Sequence, residues 1–371
     1  MTSVIFETAT VADAIKKAAR VAPAKSGHAF DKAAGIVLDI FPGSDVQCVV
    51  RATNTDIFSA EVVNVVEAEG NETRWRLSSM VLAGVIGTLP IANGKVVKLR
   101  QEGNVIKMES GRTRASMVLM DVDYYPEWDS FEADGFTQVS GLGGRLDQVE
   151  WAASTAPQPP LCGILLDGQY AIATDRYRLA RVPCKIDLPR PIIVPAGILG
   201  SVLRPMGDVG LSMDGSMLQI AVDPYHQVKT ITYDMDFPPV SKVMRTEYPE
   251  FVDVSKSALV DMMQRANTFA GADRAPVLTL FLGREEIAVM MTNDEIGLLG
   301  DAIEVPGQIT HPREQLRFTP KNLLEAIAKA PGGKVKLGYD PENAKLPLHV
   351  ADGSGYEAWV VPLAQAKAEM S

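Results

Sequence analysis

The chain has 371 residues, too long for one ordinary core and long enough for two or three domains. It is 46% hydrophobic and 22% charged, as globular proteins are, and its net charge of −10 argues against a tight grip on nucleic acid, which needs clustered Lys and Arg. Three scattered cysteines (Cys48, Cys162, Cys184) and four histidines without HxxH or HExxH spacing exclude a disulfide framework and an ordinary zinc site.

The start, "MTSVIFETAT", lacks the basic and apolar regions of a secretory leader, and no apolar run approaches the roughly 18 residues of a membrane span. The expectation is a cytoplasmic protein with no membrane partner. "VADAIKKAARVA" (11–22) then places Val11, Ile15, Ala18 and Ala22 on one helical face. "RATNTDIFSAEV" (51–62) is an apolar approach, a Thr/Asn–Asp pair and an alternating strand. From Trp75 a short strand leads to a helix of about three turns, a Gly-containing turn and another strand.

The same three pieces return twice. "RLDQVEWAASTA" (145–156), "AIATDRYRLARV" (171–182) and the block from Ile192 form one set. "ALVDMMQRANTFA" (258–270), "VMMTNDEIGLLGDAI" (289–303) and the block from Leu316 form another. Asp56, Asp175 and Asp294 are spaced 119 residues apart and mark the repeat. Leu77, Val194 and Phe318 mark it again at intervals of 117 and 124. The predicted fold class is α+β, with three repeated domains of two helices packed on antiparallel sheets. Acidic, proline-containing linkers at 124–135 and 247–256 set the predicted domains at 1–130, 131–252 and 253–371.

"MDVDYYP" (120–126) and "YDMDFPP" (233–239) each hold Asp-x-Asp before an aromatic residue and a proline. Paired carboxylates of this kind could hold a divalent metal in a glycosyl or phosphoryl transferase. Their recurrence favours a structural turn at the end of each domain. No Ser-His-Asp or Cys-His constellation can be assembled, so no catalytic residue, metal or cofactor is expected.

The three-copy layout and "CGILLDGQYAIATDRYRLA" (162–180) resemble the bacterial DNA sliding clamps, the beta processivity subunits of DNA polymerase III, whose signature reads roughly "GILLE…LVATDGHRLA". "SGRTRASMVLMDVDYYPEW", "DFPPVSKVM" (236–244), "FTPKNLLEAIAKA" and "AWVVPL" resemble further segments of that family. The resemblance implies a head-to-tail homodimer that closes a six-domain ring around duplex DNA regardless of sequence. It implies no chemistry. It implies as partners a DNA polymerase, a clamp loader and other proteins carrying clamp-binding motifs. A specialised, phage-type clamp serving another polymerase or transcription is the variant reading.

By resemblance, one pocket takes partner peptides. Its walls would be Leu161, Thr174, Arg176, Tyr177, Arg178, Leu179, Pro238, Lys242 and Val243, with Thr319, Asn322, Leu346, Trp359, Val360, Val361, Pro362 and Leu363. Arg176 stands for the family's glycine, Tyr177 for a histidine and Lys242 for an arginine. Helix positions facing DNA would be Lys16, Lys17, Arg20, Lys25, Arg145, Arg204, Arg265, Lys321 and Lys329. At the subunit contact, Ala115 and Met117 would meet Thr268 and Phe269.

Overall fold

The computed structural model describes residues 2–23, 32–43, 48–92, 94–128, 135–197, 199–271, 276–293 and 296–364. Lys25 and Asp294 therefore lie outside the described residues.

The chain begins with β1 (Ser3–Glu7), α1 (Thr8–Val21), β2 (Ile36–Ile40), β3 (Cys48–Thr53), β4 (Ile57–Val62) and β5 (Glu67–Glu69). Next come β6 (Thr73–Leu77), α2 (Ser79–Val85), β7 (Val96–Glu102), β8 (Val105–Ser110) and β9 (Thr113–Val118). The second set is β10 (Thr137–Val139), α3 (Leu142–Val149), β11 (Gly163–Leu166), β12 (Tyr170–Thr174) and β13 (Arg178–Pro183). It continues with β14 (Ile192–Pro195), α4 (Leu199–Leu203), β15 (Val209–Asp214), β16 (Met217–Ala221) and β17 (His226–Ile231). The third is β18 (Glu250–Ser255), α5 (Lys256–Ala270), β19 (Leu278–Leu282), β20 (Glu286–Asn293) and β21 (Gly297–Glu304). It closes with β22 (Arg313–Phe318), α6 (Pro320–Ala328), β23 (Lys334–Tyr339), β24 (Leu348–Ala351) and β25 (Glu357–Val360). One order thus runs three times: strand, helix, three-strand meander, strand, helix, three-strand meander. Only β5 is extra.

The chain forms two compact units, 1–143 with 198–232 and 144–197 with 233–371. The expected segment 131–252 contributes to both. Each unit holds one eight-stranded and one smaller sheet, all pairings antiparallel. In unit 1 the orders are β6-β2-β3-β4-β17-β16-β15-β10 and β5-β1-β7-β8-β9. In unit 2 they are β14-β11-β12-β13-β25-β24-β23-β18 and β22-β19-β20-β21. The two large sheets are built alike, each joining the first meander of one repeat to the second meander of the next.

Alternation drives this packing. In β7 and β8 the buried residues are Val97, Leu99, Ile106 and Met108, while Lys98, Arg100 and Lys107 between them face away. The strand β2, between β6 and β3, is buried along its length. The helices after β6, β14 and β22 are shorter than expected, at 7, 5 and 9 residues. Gly84 and Gly87 weaken the first and Pro205 ends the second.

Candidate partner-binding site

The repeated Asp register needs correction. In the β12–β13 turn the Thr174 hydroxyl donates to the Arg178 carbonyl at 2.8 Å and accepts from the Arg176 N–H. The Asp175 carboxylate accepts from the Tyr177 and Arg178 N–H groups, both at 2.9 Å. In the β3–β4 turn the same work is done by Thr53 and Asn54, the latter accepting from Asp56 and Ile57. In the third copy Asn293 accepts from Ile296. The matching residues are Asn54, Asp175 and Asn293, not Asp56, Asp175 and Asp294. An Asx side chain capping its own turn is what recurs, and Asn does this as well as Asp. Thr55 and Arg176 occupy the left-handed position, with φ of 81° and 80°.

The expected pocket residues all fall in unit 2, on two faces of one sheet. On the outer face Leu179 pairs with Trp359 across β13 and β25. With Ile172 they form a buried cluster, against which Tyr170, Phe237, Val240, Val243 and Met244 pack. Residues 233–245 cross this face as a strap, carrying Pro238 and the exposed Lys242. Trp359 donates its indole N–H to the Arg245 carbonyl at 2.7 Å and stacks on His349. Arg181 lies over both Tyr170 and Trp359 and donates to Glu357 at 2.6 Å. Burial raises the Glu357 carboxyl, but hydrogen bonds to His349 and Arg181 outweigh it and hold the group low.

Arg178 belongs to the opposite face. Its buried guanidinium donates to Asp175 at 2.9 Å, Asn322 at 3.1 Å, Glu325 at 2.7 Å and the Ala153 carbonyl, and lies over Trp151. Arg178 and Asn322 fasten the turn to α6, and the buried Val360 opposes Arg178 across β13 and β25. Thr319 precedes α6, and its carbonyl accepts from Asn322. The segment 361–364 runs on past β25: the Val361 N–H reaches the Tyr177 carbonyl, and the Leu363 N–H reaches the Arg317 carbonyl. Tyr177 is 68% exposed and Leu363 37% exposed, so an apolar rim stands open beside the strap. Leu161, Leu346, Val361 and Pro362 are half-buried. Phe237, Val240 and Met244 were missed, although their strap segment was singled out.

Among the expected DNA-facing cations, Lys16 and Arg20 are exposed on α1. Lys17 is not free: it pairs with Asp13 at 2.9 Å and Glu61 at 2.8 Å. Arg265 pairs with Asp301, Lys329 with Asp147, and Lys321 lies 4.0 Å from Glu325. Arg145 and Arg204 also have partners. At the expected contact, Ala115 is half-buried on the edge strand β9, whereas the Met117 side chain is buried. Thr268 and Phe269 line a groove with Asp261, Gln264, Arg265 and Leu299 beside β21. Asp121 and Asp123 form an exposed turn, the Asp121 carboxylate accepting from the Asp123 N–H. Among the described residues no three His, Cys, Asp or Glu side chains converge as metal ligands, and no helix is long and apolar enough to cross a membrane.

The sequence matches no protein-family model. Solved structures match it along its whole length. The DNA polymerase III beta subunit of Thermotoga maritima is 19% identical with a TM-score of 0.80, covering 99% of this chain and all of that one. The DNA polymerase sliding clamp of Bacillus subtilis is 17% identical with a TM-score of 0.75, over 98% and 100%. The sliding clamp of Pseudomonas aeruginosa, solved bound to griselimycin, is 17% identical with a TM-score of 0.77, again over 98% and 100%. The chain has the fold of the bacterial sliding clamps, the beta subunits of DNA polymerase III.

Proposed function

We propose that this protein is a DNA sliding clamp. Two three-domain chains (1–130, 131–252 and 253–371) join head to tail around duplex DNA. The ring tethers a DNA polymerase, a clamp loader and other partners through peptides held at the unit 2 rim. Tethering raises effective concentration, so processivity needs neither a catalytic group nor a tight phosphate grip.

The observation that carries this reading is the pair of unfinished sheets. Inside the chain β17 pairs with β4, and β25 pairs with β13. Their counterparts β9 and β21 are edge strands of the two smaller sheets. Unpaired edges are templates for another chain. If β9 of one copy pairs with β21 of the next, the repeat is completed, and a heterologous contact that closes by rotation gives a ring. Grooves flank both edges: one beside β21, and one on β7–β9 lined by Lys98, Arg100, Lys107, Arg114 and Ala115.

Light scattering at micromolar concentration should give the mass of a dimer. Electron microscopy should show a hole wide enough for a duplex. A monomer, or a particle without a hole, overturns the reading.

A further inference from the structure

We propose that the partner peptide carries acidic residues beside its apolar anchor, and that Arg176 and Lys242 select them. This rests on the peptide-site reading above. The carboxylates near the rim are engaged. Asp175 and Glu325 serve Arg178, and Glu357 serves Arg181 and His349. Arg176 and Lys242 are exposed, with no ion-pair partner among the described residues. Arg176 sits at the tip of the β12–β13 turn, beside the open Tyr177. Lys242 sits on the strap next to Val243, which packs on the Leu179–Trp359 cluster.

The strap's own acids, Asp234 and Asp236, lie near its start, where the Tyr233 N–H reaches Ile193 on β14. That is the far side of β11 and β12 from β13 and β25. At the β25 side the exposed strap charges are Lys242 and Arg245, against Glu247. A chain of net charge −10 thus turns cationic at its apolar opening. Arg176 also occupies a φ of 80°, where glycine would be the less strained choice. Thr55, in the equivalent turn, holds this conformation with a short side chain. Opposite charge across a rim selects partners and speeds encounter, and exposed pairs weaken with salt.

The test uses the full chain and short fluorescein-labelled peptides with one core, Leu-Ala-Leu-Phe, flanked at both ends by Asp-Glu, Ser-Ser or Lys-Lys. Fluorescence anisotropy should rank the acidic flank about tenfold tighter than the neutral one, the yield of one or two exposed charge pairs. The advantage should shrink at high salt and vanish in Arg176→Gly/Lys242→Ala, whose first change suits the backbone and keeps the fold. Equal affinity for all three flanks overturns the charge selection and leaves the peptide site standing. Absence of binding by any peptide, or binding unmoved by Tyr177→Ala/Leu363→Ala, overturns the site and the selection together.

Discussion

Arg178 and Tyr177 are neighbours with opposite work. Arg178 is buried and ties Asp175, Asn322, Glu325 and the Ala153 carbonyl into one network. Removing it strands two carboxylates, so Arg178→Ala should cost about 3 kcal/mol in urea unfolding, whereas exposed Tyr177→Ala should stay within about 0.5 kcal/mol. His226 is a second buried case. It reaches the Ser59 hydroxyl at 3.2 Å, and burial lowers its pKa to about 4. Between pH 6.5 and 4 the unfolded chain takes a proton that the native chain refuses, so stability falls as pH drops through that window, by about 3 kcal/mol at most. Glu61, raised by burial, acts in the opposite sense. His226→Gln should flatten the acid side of the melting-temperature profile. Glu150 shows the reverse window. Burial pushes its carboxyl up to about 7, and stability is lost as pH rises through that value. Glu150→Gln should therefore gain in melting temperature at pH 8 and not at pH 5. Little of this was legible beforehand, because each environment depends on partners remote in sequence, Glu325 for Arg178, Ser59 for His226 and Lys17 for Glu61.

At the scale of elements the triple order could be read from periodicity alone, because alternation and helical spacing are local signals. The register of the repeat differs from the expected one by two residues in the first copy and one in the third, since Asp is as common after a turn as within it. The helices after β6, β14 and β22 were overestimated because apolar patterning persists past the glycines and proline that stop them. Strand pairing was not legible. It joins β4 to β17 and β13 to β25, between different repeats, and the pairing carries no sequence signature of its own. The same blindness hid the split of the pocket residues between two faces. In unit 1 the equivalent outer face is filled by the chain itself: Trp128 packs on Phe58 at 5.0 Å, under Arg51. Phe58 and Lys229 stand where Leu179 and Trp359 do in unit 2. The proposed peptide site thus has no open counterpart on this face of unit 1 among the described residues.

For the whole molecule the internal registers predict the geometry of the proposed contact between copies. Ile57 opposes Thr230, and Arg178 opposes Val360. In the three turns Asn54 opposes Ile57, Asp175 opposes Arg178 and Asn293 opposes Gly297, so the equivalent pairs in the proposed contact are Gly297 with Met117, Leu298 with Ser116 and Leu299 with Ala115. The Val361-to-Tyr177 and Ile231-to-Asp56 backbone bonds fix the alternation, making Leu299 with Ala115 a narrow, non-hydrogen-bonded pair in that contact. Its Cβ atoms would suit a disulfide. The chain Ala115→Cys/Leu299→Cys should oxidise to covalent dimers carrying two bridges on a non-reducing gel. Cys48 and Cys184 are buried, and the half-buried Cys162 is replaced by serine in the same chain so that no native thiol competes. A shift of the second cysteine by one residue should abolish the bridge, because the side chain changes face.

In the proposed ring each copy carries two different couplings, β9 and β21, and neither pairs with its own kind. A linear string of such copies always leaves one of each exposed, and only a closed circuit leaves none. Ser116→Pro blocks the first coupling and Leu298→Pro the second, both at N–H groups that would face the next copy. Neither variant can pair with itself. Mixed together, they can make one joint and never two. The product should be a two-chain particle with a single fixed gap, a clamp that threads onto closed circular DNA without a loader and slides off as readily.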